Sequence, residues 1–157
     1  MKILLASSID PGAIKALEHL RSVLSHVGAI VLRSNKFQVF DSNGVGFAEL
    51  VKEKTEPRAL IIHAPVHNHP VFLTGRRSLM GYPGHIWTHG LEFVQREGEI
   101  KRIYLGSPDA LQLLNNYGVD YAVIGPLERV VTPPNEQFFS RFQKVEQVGE
   151  YSLYKIR

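Results

Sequence analysis

Residues 107–124 read Ser-Pro-Asp-Ala-Leu-Gln-Leu-Leu-Asn-Asn-Tyr-Gly-Val-Asp-Tyr-Ala-Val-Ile, and this stretch decides the fold class. Ser107-Pro108 is a cap followed by a residue that takes the first helical turn without losing a needed N–H. Leu111, Leu113 and Leu114 carry the predicted helix to Tyr117, and Gly118 suits its stop. Val119 to Ile124 then forms a mostly apolar run of strand length, as expected of a strand buried on both faces. Helix, glycine and buried strand in succession make a β/α unit, which favours a parallel sheet with helices on its faces.

Upstream, Arg58 to His63 contains the continuous run Ala59-Leu60-Ile61-Ile62 and predicts a second buried strand, parallel to the first and in the same sheet. Asp41-Ser42-Asn43-Gly44 is turn chemistry, and Phe47, Leu50 and Val51 support a short helix ending near Thr55, before Pro57. Asp10-Pro11 starts another helix, with Ile14, Leu17, Leu20, Leu24 and Val27 at helical spacing and a stop at Gly28. Extended runs at Ala29 to Arg33 and Phe37 to Phe40 flank the turn Ser34-Asn35-Lys36. Short strands are expected at Val71 to Thr74 and Arg77 to Met80, and a helix from Gly90 to Gln95. Periodicity leaves Ile100 to Leu105 as helix or strand. Downstream, Asn135 caps a short helix to Phe142, and Lys144 to Val148 pairs antiparallel with Tyr151 to Ile156 around Gly149-Glu150. The expectation is one α/β domain over residues 1–157, with a Rossmann-like, mostly parallel sheet and a C-terminal antiparallel hairpin.

The chain has 157 residues, 44% hydrophobic and 21% charged, which is ordinary globular composition. A domain of this size buries about 70% of its unfolded surface and sustains a real core. The 18 Lys and Arg against 15 Asp and Glu give a net charge of +3. The basic residues are scattered apart from Arg76-Arg77 and Lys101-Arg102, without the basic stripe and interleaved aromatics of a nucleic-acid surface, so no nucleic-acid partner is expected. There is no cysteine, which excludes disulfides and thiolate metal sites. The apolar stretch at the N-terminus is too short for a signal-peptide core, and nothing approaches a membrane span. The polypeptide reads as soluble.

Residues 64–90 differ from the rest, being rich in proline and glycine and holding four of the seven histidines, His67, His69, His85 and His89. Taken in order, His67-Asn68-His69-Pro70-Val71, Thr74-Gly75-Arg76-Arg77, Gly81-Tyr82-Pro83-Gly84-His85 and Trp87-Thr88-His89-Gly90 form a motif series. Tyr117 to Tyr121, Ile124-Gly125-Pro126-Leu127-Glu128-Arg129 and Leu153-Tyr154-Lys155-Ile156 continue it. The series resembles the soluble C-terminal region of large bacterial and archaeal polytopic membrane proteins of the glycosyltransferase-C type, which are similar to protein and lipid-linked mannosyltransferases. The resemblance covers about residues 41–157. It implies an accessory domain on the extracytoplasmic face, since the family's transfer chemistry is assigned to acidic residues of membrane-proximal loops that this sequence lacks.

Aromatic faces with directional polar groups hold sugars, and arginine forks hold their phosphate carriers. The candidate ligand-binding residues are therefore Arg76, Arg77, Tyr82, His85, Trp87 and His89, and Arg76 or Arg77, His85, Trp87 and Glu128-Arg129 are expected to line one concave surface at the C-terminal ends of the central strands. Glu128 and Arg129, just past a buried strand, are expected to supply a second contact. The alternatives are aromatic packing under a long loop for the first group and a surface ion pair for the second. Histidine density raises a metal reading, with His67 and His69 pointing the same way on an extended segment and His63 and the His85/His89 pair nearby. Pro65 and Pro70 interrupt regular geometry and no metal signature occurs, so no metal is expected. Gly44-Val45-Gly46 lacks the third glycine and the preceding strand of a dinucleotide motif, and no cofactor is expected. No Gly-x-Ser-x-Gly elbow appears.

Three functional readings follow in order: a non-catalytic module recognising a glycan or polyprenyl-phosphate sugar, a docking domain for a membrane protein partner, and a histidine-metal hydrolase.

Overall fold

A computed structural model describes residues 39–157, which form one compact unit. The expected helix from Asp10 to Gly28, the extended run Ala29 to Arg33 and the start of the Phe37 to Phe40 run lie outside the described residues. Val39 and Phe40 themselves sit in a bend.

The sheet has five strands in the order β2-β1-β3-β5-β4. They are β1 (Leu60–Ile62), β2 (Arg77–Ser78), β3 (Tyr121–Ile124), β4 (Gln143–Val148) and β5 (Tyr151–Lys155). β1 lies parallel to both β2 and β3, with Leu60 opposite Arg77 and Ile61 opposite Tyr121. β5 runs antiparallel to β3, and β4 antiparallel to β5. The predicted parallel pairing of the two apolar strands and the C-terminal hairpin are both present.

Alternation along the strands sorts the core into two layers. Leu60, Ile62, Ala122 and Ile124 face one layer, where helix α3 (Val94–Tyr104) contributes Ile100, Ile103 and Tyr104. Helix α4 (Ala110–Tyr117) adds Ala110 and Leu114, and helix α6 (Glu136–Phe139) adds Phe138 and Phe139. Ile61, Tyr121 and Val123 face the other layer with Phe47 and Val51 of helix α1 (Ser42–Lys54) and with Val71. Helices α2 (Pro83–Thr88) and α5 (Pro126–Val131) are short.

Local signals explain most boundaries. The Asp41 carboxylate accepts from the Gly44 N–H at 2.6 Å and starts α1. Gly118, at φ +66°, ends α4, with its N–H returning to Asn115 and that of Val119 to Leu114. The Asn135 side chain accepts from the Phe138 N–H and opens α6, which ends at Phe139, short of the expected Phe142.

Two expectations are corrected and one open reading is resolved. Val71 to Thr74 is no strand: Pro70–Leu73 is a 3-10 turn, because His69 accepts from the Val71 N–H and Pro70 needs no donor at the first position. The helix expected from Gly90 to Gln95 is replaced by α2, which begins on Pro83 and stops before Gly90 at φ +69°, and by α3, which begins at Val94. Ile100 to Leu105 is helical, since Ile100, Ile103 and Tyr104 bury one face while Lys101 and Arg102 stay outside.

Candidate functional site

In strand order β2-β1-β3, the chain leaves the central β1 for one neighbour and crosses to the other later. The connection after β1 carries Val71 into one core layer, and the connection after β2 carries α3 and α4 into the other. Such a reversal leaves a crevice outside the C-terminal ends of the parallel strands. Here those ends are His63 and Ala64 after β1, Ser78 closing β2, and Gly125 to Glu128 after β3.

A buried polar cluster fills the base of this edge. Glu128, on the first turn of α5, and His69 are both fully buried, and the His69 Nε2–H donates to Glu128 Oε1 at 2.8 Å. The Ala64 N–H donates to the same oxygen at 2.7 Å. Glu128 Oε2 has no protein partner. The His63 ring stacks on His69 with centroids 4.2 Å apart. Its Nδ1–H donates to the Ala64 carbonyl at 2.7 Å, so Nε2 accepts from the Ser78 hydroxyl, also at 2.7 Å. From the opposite layer the Tyr104 hydroxyl donates to Val123 O at 2.9 Å and Ile62 O at 3.2 Å, joining the ends of β1 and β3.

The electrostatics follow from burial and pairing. Burial, reinforced by the neighbouring His69, pushes the His63 imidazole down to about 3. For Glu128 burial acts to raise the carboxyl, but His69 and the Ala64 N–H outweigh it and hold it below its ordinary value. Burial, with Glu128 adding to it, drives the Tyr104 phenol well above its usual range.

An open cleft of about 500 Å3 adjoins the cluster, lined by His67, Phe72, Gly81, Tyr82, His85 and Ile86. Phe72 joins the two, its ring edge-on to His63 at 5.1 Å. Tyr82 stands between His67 at 5.6 Å and His85 at 5.3 Å, both edge-on. The glycine of Tyr82-Pro83-Gly84 lets the Tyr82 ring lie over the turn, since a Cβ at Gly84 would sit 2.5 Å from that ring and push it aside. Next to the lining residue Ile86, on α2, Trp87 is 71% exposed, and His89 caps the helix end in solvent.

The arginines are elsewhere. Arg76 spends its guanidinium on the end of α1: Nε donates to Thr55 Oγ1 at 3.0 Å, and Nη2 donates to the Lys52 and Thr55 carbonyls at 2.8 Å each. Arg77 opens β2 opposite Leu60, at the N-terminal edge of the sheet, where it contributes to lowering the Asp120 carboxyl. Of the expected site residues the cleft gathers Tyr82 and His85; Trp87 is exposed on the same helix as His85 but is not among the lining residues, and Arg76 and Arg77 are left out. Glu128 is buried below and forms no surface pair, while Arg129 turns outward to Glu136 at 3.3 Å and the Glu150 carbonyl.

His67 and His69 do not share a face: His67 lies exposed at the cleft, and His69 is buried behind it. Among the described residues no group of three or more His, Asp or Glu is arranged to hold a metal ion. Ser78, Tyr104 and Phe72 are the site residues that sequence reasoning missed, and His63 entered it only as a neighbour in the metal reading. No protein-family model matches the chain, and no curated protein matches it in sequence.

Proposed function

We propose that this chain is a non-catalytic recognition domain that receives a glycan or the sugar of a lipid-linked sugar phosphate in the strand-end cleft, as an accessory to membrane glycosyltransferases of the type its motif series resembles. The observation that carries this reading is a cleft lined by the Phe72 and Tyr82 rings and the His67 and His85 imidazoles, with the exposed Trp87 following the lining residue Ile86 on α2. Pyranose rings bind through their apolar faces to such rings and through their hydroxyls to directional polar groups, which His67, His85 and the Tyr82 hydroxyl supply. With Arg76 committed to α1 and Arg77 at the far edge, recognition rests on the sugar more than on a phosphate arm.

The experiment is a binding titration of wild type, Trp87→Ala and Tyr82→Ala against soluble glycans and polyprenyl-phosphate sugars. Saturable binding by wild type and a loss of about tenfold or more in each variant, with stability kept, supports the reading.

A second reading is favoured by Trp87, Leu91 and Val94, which are 71%, 63% and 66% exposed within eight residues. Clustered exposed apolar residues mark protein or membrane contacts, and here they support docking onto a membrane protein partner. No helix among the described residues is long and apolar enough to cross a membrane. Absence of binding to the whole panel, with Trp87→Ala abolishing association with a co-expressed membrane partner, would put docking first.

A further inference from the structure

The hydrogen bonds of the buried cluster fix the protons on both stacked rings. The Val71 N–H can only donate, and it donates to His69 Nδ1 at 3.1 Å, so the single proton of a neutral His69 sits on Nε2, facing Glu128. The Ala64 carbonyl can only accept, so the proton of a neutral His63 sits on Nδ1. Each imidazole therefore uses one nitrogen as donor and the other as acceptor.

A further proton has no favourable place. On His69 Nδ1 it would oppose the Val71 N–H and remove the cap of the 3-10 turn Pro70–Leu73. On His63 Nε2 it would place a positive charge in a fully buried site, against the His69 ring 4.2 Å away. The groups facing these rings are the Glu128 carboxylate from α5 and, around that carboxylate, the Tyr104 phenol from α3 and the Tyr151 phenol from β5. Asp41 and Glu150 act on Tyr151 from further out. No lysine or arginine among the described residues bonds to the cluster, and Arg129 turns away.

We propose that His63, His69 and Glu128 form an acid-sensitive clasp: closed while the His63 imidazole is neutral, it fastens the loops after β1 and β3 and the Phe72 turn at the cleft, and it releases them when His63 is protonated. Phe72 both touches His63 and lines the cleft, so release alters the cleft wall whatever the cleft binds. The sign follows from linkage. A histidine that accepts a proton near 6.5 when released but only near 3 when closed stabilises the closed form fully above 6.5 and loses that contribution as pH falls toward 3.

The test is residue-resolved amide exchange on the full chain at about pH 7.5 and about pH 5, corrected for intrinsic rates, with histidine tautomers read by nitrogen NMR. The expected tautomers at the higher pH are Nε2–H for His69 and Nδ1–H for His63. The Ala64 and Val71 amides should lose about tenfold or more protection on acidification, while Val123 in β3 changes by less than about threefold. His63→Asn, whose side-chain amide can still donate to the Ala64 carbonyl but does not titrate, should lose most of that pH dependence. Uniform loss across the sheet, protection unchanged between the two pH values, the opposite tautomers, or an undiminished pH response in His63→Asn would each overturn the clasp. If that variant fails to fold, the wild-type measurements decide alone.

Discussion

Two regions share the C-terminal edge of the sheet and are built on opposite principles. The cluster of His63, His69 and Glu128 is buried, and nearly every polar atom in it has a fixed partner. The rim is exposed: His67, Tyr82 and His85 line an open cleft, and Trp87 follows on α2. Both are histidine-rich, so residue type alone does not distinguish holding from recognition. Burial and hydrogen-bond accounting do: a buried polar group must spend its bonds inside the protein, whereas an exposed one keeps them for a partner.

The largest expected difference between the regions is in stability. Glu128→Ala leaves the Ala64 N–H and the His69 Nε2–H buried without an acceptor, and should cost about 3–5 kcal/mol in denaturant unfolding. A loss below about 1 kcal/mol would mean that the cluster does not hold the strand ends. Acid should act on the same region in wild type. With the His63 imidazole held near 3, falling pH costs stability from about 6.5 downward, reaching about 2 kcal/mol by pH 5. The lowered Glu128 carboxyl adds a loss in the same direction further down. Unfolding curves at a series of pH values check this, and a flat profile between pH 7 and 5 would contradict it.

Arg76→Ala sharpens the contrast from outside the edge. It removes charged hydrogen bonds from the end of α1 and should destabilise by about 2 kcal/mol, with glycan binding changed less than about twofold. A loss of binding without a loss of stability would return Arg76 to the ligand site. The smallest effect on stability should come from the rim: Trp87→Ala should change unfolding free energy by less than about 0.5 kcal/mol, because an indole 71% exposed leaves no cavity behind.

The two central strands, α4 and the C-terminal hairpin were legible because each is written locally, as an apolar run, a helical spacing or a glycine stop. The clasp was not. Its bonds join residues 59 and 64 positions apart, and periodicity does not say which strand-end loops meet. The 3-10 turn at Pro70 carries the same residue-then-proline signal as the helix starts, but histidine is not among the usual capping residues, and the short apolar run Val71 to Leu73 read as strand. Arg76 was misplaced for a related reason. A guanidinium in a glycine-containing loop reads alike whether it meets phosphate or helix-end carbonyls, and the carbonyls belong to residues up to 24 positions earlier. The rim was legible because tyrosine, histidine and tryptophan between glycines and prolines stay near the surface, and there composition and exposure agree.

The chain has a single tryptophan, so intrinsic fluorescence reports on the rim alone, and titrating wild type and Arg76→Ala with soluble glycans and polyprenyl-phosphate sugars at constant pH is the most direct test of the division between holding and recognition. The account predicts a saturable change in Trp87 emission with at least one sugar, of similar midpoint in both proteins. It is contradicted if every sugar leaves Trp87 unperturbed, or if binding occurs and disappears with Arg76.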